Sequence, residues 1–274
     1  MSETERDVQV FDTADAEAAF EAAADAIASG QVIVLPTDTV YGVAADPFSP
    51  AAVQRLLDAK RRGRDMPPPV LVAEVEMVRS LVSGFDERAE AIARAFWPGP
   101  LTLIAAAPDS LRMDLGERGS TIAVRVPDHE FTRELLRRTG PLAVSSANLN
   151  GREAALTIDE AVDQLGDSVA VYLDAGTMSG PVPSTIIDLS GVRPRLLRKG
   201  RLTVAEINAV VPGLLVDPDA VAESDVVNSD APDPDAVAEP ATVAEPDAGA
   251  EPGAVADPDA AAGDPTPDAE EKGD

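Results

Sequence analysis

A compositional break at Asp217 sets the outer limit on what this chain can fold into. From there to Asp274 the sequence repeats Asp-Pro, Glu-Pro and Ala units and contains no aromatic residue. The same stretch holds 18 of the 49 acidic residues but one of the 22 basic ones, Lys272. A segment this charged and this poor in large apolar side chains cannot bury enough surface to offset its ordering entropy. Residues 217–274 are therefore expected to form a disordered acidic tail. Any core must come from the preceding 216 residues, which fit one large domain.

The tail accounts for −17 of the formal charge of −27 and leaves −10 on the domain, which uses 19 arginines and two lysines. Free duplex nucleic acid is a poor match for such a surface, because phosphate neutralisation needs a basic face. A high-salt cytoplasm, in which screening removes most self-repulsion, would account for the acidity; an ordinary acidic cytosolic protein is the alternative. There is no cysteine, so disulfides and thiolate chemistry are excluded. The single histidine, His129, rules out a His-rich metal site and reads as a surface or helix-start residue. The N-terminal MSETERDVQV lacks a basic, apolar signal pattern, and no apolar run reaches membrane-spanning length. The expectation is a soluble, cytoplasmic protein.

Along the domain, Asp15 to Ser29 has the pattern of an amphipathic helix closed by Gly30 at the position after the C-cap. Gln31 to Leu35 suits a buried strand, and it runs into the polar turn Pro36-Thr37-Asp38-Thr39-Val40-Tyr41-Gly42. Ligands of open α/β sheets tend to bind at such strand ends. Ser49-Pro50 starts a helix that reaches about Lys60. Strands are expected at Val70 to Ala73, Leu101 to Ala106, Ser120 to Val126, Leu142 to Val144, Ser184 to Leu189 and Arg195 to Arg198. Helices are expected at Val75 to Val82, Asp86 to Ala95 and Phe131 to Arg138, with capping-box starts at Thr157 and Thr203. Strands alternate with helices, and some consecutive strands suit antiparallel pairs. The fold class is α/β with a mixed sheet.

The chemistry-bearing residues cluster by motif. Lys60-Arg61-Arg62-Gly63-Arg64 puts four cations into five residues of an otherwise acidic chain, and Ser145-Ser146-Ala147-Asn148 ends a strand with small polar groups. Guanidinium forks and an ammonium suit phosphate oxygens, although a solvated helix end near a C-terminal dipole gives the same pattern. There is no GxxxxGK[ST] loop and no GxGxxG after a strand. Other polar residues gather at strand ends: Thr37, Thr39, Thr121, Arg125, Ser184, Thr185 and Arg198. Taken singly, each also reads structurally: Thr37 and Thr39 as turn hydroxyls, Arg125 as an ion-pair member, Arg198 with Lys199 as a protected sheet edge. Tyr41 and Trp97 suit the core.

Their joint order carries a resemblance. PTDTVYG (36–42), AKRRGRDMP (59–67), FWPGPLT (96–102), TIAVRVPDH (121–129), SSANLNG (145–151), STIIDL (184–189) and LLRKG (196–200) resemble the motifs of the YrdC-like threonylcarbamoyl-AMP synthases, in the family's order, over about residues 12–211. The resemblance implies a single YrdC-like domain, a twisted mixed sheet with a large, concave, positively lined cavity. It implies that L-threonine, bicarbonate (or CO2) and ATP are converted to L-threonylcarbamoyladenylate and pyrophosphate, and that a separate transferase complex passes the group to tRNA. By the same resemblance, Lys60 and Arg62 match the KxR motif and hold the triphosphate. Ser146 and Asn148 match the SxN motif; with Arg62, Thr121 and Arg198 they fall at nucleotide-contacting positions. Thr39, Arg125 and Ser184 fall where the family binds threonine. Mg2+ is expected with the triphosphate, held mainly by phosphate oxygens.

The chain departs from the family at three points. Asp38 replaces a glutamate, Met66 stands for a nucleotide-contacting asparagine, and Leu71 for a threonine-contacting histidine. Arg64 is placed to compensate for Met66. The acidic tail occupies the place of the additional C-terminal domain of longer relatives. Two other readings fit the same motifs: a non-catalytic RNA-binding or ribosome-associated member, and a carbamoyl-transfer domain acting on another acceptor. The first lacks the SxN motif in the relatives that have lost activity; the second usually sits within larger multidomain proteins.

Overall fold

The computed structural model describes residues 8–117, 119–180 and 182–216. The expected acidic tail, residues 217–274, lies outside the described residues. In chain order the elements are β1 (Gln9–Asp12), α1 (Ala16–Ala28), β2 (Ile33–Leu35), β3 (Gly42–Ala45), α2 (Pro50–Ala59), β4 (Val70–Leu71), α3 (Val75–Leu81), α4 (Glu87–Phe96) and β5 (Leu101–Ala106). They continue with β6 (Thr121–Arg125), α5 (Glu130–Thr139), β7 (Leu142–Ser146), α6 (Ile158–Leu165), β8 (Val171–Asp174), β9 (Thr185–Asp188), β10 (Arg195–Arg198) and α7 (Val204–Val210).

The ten strands form one mixed sheet in the order β1-β8-β2-β3-β7-β4-β6-β5-β9-β10. Four neighbouring pairs are parallel (β1 with β8, β8 with β2, β4 with β6, β5 with β9) and the other five are antiparallel. Strand alternation explains why the apolar runs are unbroken: both faces of the central strands are covered. Ile33, Leu35, Ala44 and Leu142 pack on one face with α1 and α5. Val32, Val34, Val43 and Ala143 pack on the other with α2 and α6. Val70, Leu101, Leu103, Ile122, Val124 and Ile187 continue that second face under α3, α4 and α7.

The helix ends follow their local chemistry. Ser49 caps α2 by accepting from the Ala52 amide, with Pro50 in the first turn, and Gly30 (φ 70°) takes the left-handed position after α1. Thr157 with Glu160 and Thr203 with Glu206 form complete capping boxes. His129 caps α5 through Nδ1, and burial lowers its pKa. Three strands were not expected from the sequence: β1, β3 and β8. The strand expected at Val70 to Ala73 pairs only over Val70–Leu71, and the one expected at Leu142 to Val144 runs on to Ser146.

Candidate active site

The second half of the first sheet face has no helix over it among the described residues, and there the side chains of β4, β6, β5 and β9 form the floor of a cavity of about 570 Å³. Leu71, Arg125, Ala123, Thr102, Ile104 and Ile186 supply that floor. Register explains the set: Arg125 lies opposite Leu71, and Thr102 opposite Ile186, so all point to one side. The walls come from the turn after β2, the turn after α2 and the turn after β7.

The turn after α2 is a Schellman motif without glycine. The Arg62 amide donates to the Leu57 carbonyl and the Arg61 amide to the Asp58 carbonyl, both at 2.9 Å. Arg61 therefore sits in the left-handed region at φ 51°. This reversal sends Lys60 and Arg62 inward, and burial excludes the solvated-helix-end reading for Lys60, which is 2% exposed.

Of the expected site residues, Thr39, Arg62, Arg125, Ser146, Asn148, Ser184 and Arg198 line the cavity together. Arg62 donates from Nη1 to Ser145 Oγ at 3.0 Å. Arg198 donates to the Ser184 carbonyl at 3.0 Å and to Ser184 Oγ at 2.9 Å, and that hydroxyl meets Thr102 Oγ1 at 2.8 Å. Burial first, then the charges of Arg125 and Arg62, lower the pKa of Arg198. Arg125 is paired: its Nη2 lies 2.6 Å from Asp38 Oδ1, its Nε donates to the Gly99 carbonyl at 3.0 Å, and Thr39 Oγ1 is 3.4 Å from Nη1. The structural ion-pair reading of Arg125 thus holds beside its place in the lining. Burial lowers its pKa and Asp38 opposes the shift.

Two expected residues lie elsewhere. Thr121 shares the β6 face with Ala123 and Arg125 but is four residues from Arg125, about 13 Å along a strand. It lines a neighbouring depression of about 200 Å³ with Pro68, Leu111, Met113 and Ser120. Pro67 and Ala123 border both spaces. Lys60 is absent from the lining: its ammonium donates to the carbonyls of Ser146 and Asn148 and to Asn148 Oδ1. Burial, then the charge of Arg62, push it down to about 7.

Met66 and Leu71, the two departures, do line the cavity. Arg64 does not stand in for Met66; it turns to Gln54 (3.0 Å) and to Asp114. The sequence reading missed Thr102 and Arg152 as lining residues. Thr102 was legible as the last residue of FWPGPLT, two positions before Ile104 on a strand. Arg152 lies outside every motif and gave no signal. Tyr41 is core, as expected: its hydroxyl donates to the Gly176 carbonyl at 2.7 Å, and burial raises it to about 12. Among the described residues there is no group of three or more His, Asp or Glu side chains placed to hold a metal, and no helix is long and apolar enough to cross a membrane.

Chemically, the site offers guanidinium groups and hydroxyls around a partly apolar floor, with no carboxylate or imidazole in the lining among the described residues. Such a lining can hold an extended anion with a second small polar molecule beside it. Comparison with known proteins identifies the family. The Sua5/YciO/YrdC family model, described as "Telomere recombination", matches residues 25–200. A protein of Mycobacterium leprae is 46% identical over 214 residues, which cover 76% of this chain and 97% of the relative. The threonylcarbamoyl-AMP synthase of Vibrio parahaemolyticus is 35% identical, over 66% of this chain and 98% of its own length. The crystal structure of P. abyssi Sua5 complexed with L-threonine superposes with a TM-score of 0.72 at 32% identity, over 77% of this chain. This chain spans 62% of that longer protein. The E. coli YciO structure shares the fold, with a TM-score of 0.66 at 24% identity.

Proposed function

The chain belongs to the Sua5/YciO/YrdC family, and from that premise we propose that it is an L-threonylcarbamoyladenylate synthase. The observation that carries the reading is the gathering of Arg62, Arg125 and Arg198 with Thr39, Ser146 and Ser184 around one cavity. Threonine's neutral amine adds to the carbon of CO2 and gives up a proton to solvent, or adds to that of bicarbonate with loss of water, to give a carbamate. A carbamate oxygen attacks the α-phosphorus of ATP, the bond to the β-phosphate oxygen breaks, and pyrophosphate leaves. The step needs no covalent enzyme group; it needs alignment of the two substrates and cations where charge develops.

In this scheme Arg62, with Ser146 beside it, faces the triphosphate. Arg198 holds Ser184, which with Thr102 meets the hydroxyl or carboxylate of threonine. Arg125 and Thr39 take the carboxylate, in competition with Asp38. The nucleoside extends over Ala123 toward Thr121 and the smaller depression. The lining donors are hydroxyls rather than carboxylates, which suits Mg2+ carried by phosphate oxygens and water; bound there, the ion would offset charge on the leaving pyrophosphate. The product serves a tRNA threonylcarbamoyl-transferase.

Pyrophosphate release is the test, with purified protein, ATP, Mg2+ and bicarbonate, with and without L-threonine. Threonine-dependent release together with a threonylcarbamoyl-AMP mass is the expected result. Folded protein that releases none would refute the reading.

A further inference from the structure

The Lys60 ammonium has three N–H donors and no acceptor. All three go to oxygens of the turn after β7: the carbonyl of Ser146, the carbonyl of Asn148 at 2.7 Å, and Asn148 Oδ1 at 3.3 Å. Asn148 is committed in the same way. Its Nδ2 donates to the carbonyls of Leu149 (2.9 Å) and Arg152 (2.8 Å), while its Oδ1 receives the ammonium. The main chain closes the arrangement, with the Asn150 amide donating to the Lys60 carbonyl at 2.8 Å. A cation whose donors are all used by protein oxygens has none for a phosphate. An amide whose two N–H groups are both spent has none either.

The consequence reaches Arg152. Its carbonyl is held by Asn148, and its exposed side chain lines the cavity with no protein partner among the described residues. A buried ammonium is costly unless its hydrogen bonds are complete. Lys60 therefore fixes the geometry of the turn strongly, because losing any one acceptor strands part of the charge.

We propose that Lys60 is a positioning residue that, with Asn148, clamps the turn from Ser146 to Arg152 and so holds Ser146 and the side chain of Arg152 against the ATP phosphates. The proposal rests on the synthase reading for the identity of the anion, while the clamp itself does not.

The chain has three lysines, Lys60, Lys199 and Lys272, so full-length protein labelled with 15N-lysine and 13C gives a resolvable set of ammonium signals, with Lys60→Met as the assignment control. The Lys60 ammonium is expected to show couplings through its hydrogen bonds to the carbonyl carbons of Ser146 and Asn148 in the free protein. It should keep them when inorganic pyrophosphate or Mg-ATP is added. Couplings that vanish on adding pyrophosphate would make Lys60 a phosphate ligand and overturn the proposal.

A double-mutant cycle on ATP affinity gives an independent reading. Lys60→Met and Asn148→Ala should each weaken ATP binding about tenfold to a hundredfold, and the double variant by no more than about threefold beyond the weaker single one. Losses that multiply would refute the clamp. Arg152→Ala should raise the KM for ATP and leave the KM for threonine within about twofold; an unchanged KM for ATP would remove Arg152 from the phosphates. Wild-type protein that binds neither ATP nor pyrophosphate would sink the synthase reading, whereas the couplings in the free protein would still decide for or against the clamp.

Discussion

Replacing Asp38 with alanine should destabilise the domain by about 3 kcal/mol, and threonine should repair part of the loss. The Arg125 side chain is 8% exposed and Asp38 11%, with 2.6 Å between Nη2 and Oδ1. Removing one partner of such a buried pair costs about 3–5 kcal/mol, because the other charge stays behind without compensation. The lower end applies here, since the Gly99 carbonyl still accepts from Nε at 3.0 Å while the Thr39 hydroxyl is a long 3.4–3.5 Å away. For a domain of about this length, 1 kcal/mol moves the melting temperature by about 2–4 °C, so the expected drop is about 6–12 °C. Thermal denaturation followed by circular dichroism measures it, with Asp38→Asn as a control that keeps an acceptor oxygen and should lose about half as much. L-Threonine brings a carboxylate to the same guanidinium, so it should raise the melting temperature of Asp38→Ala by more than it raises that of the wild type. A drop below about 2 °C would refute the buried-pair argument. Equal protection by threonine in both proteins would refute the assignment of Arg125 to the carboxylate.

Other perturbations separate the remaining parts. Gly200→Ala puts a Cβ 2.4–2.5 Å from Ser184 C, Thr185 N and Pro183 O, all backbone, so the start of β9 must shift; kcat/KM for threonine should fall at least about tenfold, and unchanged kinetics would show that Ser184 does not bind it. Arg61→Gly relieves the left-handed strain at φ 51° but loosens the unfolded chain, for a net gain of about 0.5 kcal/mol by urea denaturation. Lys60 is held near 7 against 10.5 when unfolded, so between those values the unfolded state binds more protons and this group makes stability rise with pH. The cost of its charge is fully present below about pH 7, and Lys60→Met should lack the rise from pH 7 to 10. Removing residues 217–274 should leave turnover within about twofold, because residues up to Arg198 among those described already supply the cavity's cations and hydroxyls; a larger loss in a folded truncation would mean that the tail acts at the site.

What the sequence made legible was set by local rules. α1, α2, α6 and α7 are bounded by caps that a short window displays, and the apolar runs of β2 and β5 are buried on both faces. β3 was hidden because Gly42–Ala45 is four small or β-branched residues after a turn motif, too short for periodicity to register, and only pairing with β2 and β7 makes it a strand. β1 and β8 pair with each other at a separation of more than 160 residues, which no local signal carries. In the site, motif order brought seven of the nine expected residues to the cavity. Lys60 and Thr121 lie outside that lining for different reasons. Thr121 shares the face of Arg125 but sits farther along β6, at the smaller depression. Lys60 has the right charge, but its side chain meets carbonyl oxygens of a turn 86 residues away before it can reach the cavity.

The architecture accounts for how an acidic domain holds a triphosphate. The helices α2, α6, α3, α4 and α7 cover one sheet face along its length, while α1 and α5 cover only the first half of the other. The half left open collects cations contributed from three separate places: the end of α2, β6 and the end of β10. Burial first, then the charges of Arg125 and Arg62, lower the pKa of Arg198. Asp38 pairs with Arg125 alone among them. On the proposed reading, an anion spanning Arg62 and Arg198 meets converging guanidinium groups at low dielectric, and the attraction is largest for the ligand that carries most negative charge there. A leaving pyrophosphate gains charge as its bond to the α-phosphorus breaks, so the same cations favour the transition state over the bound substrate.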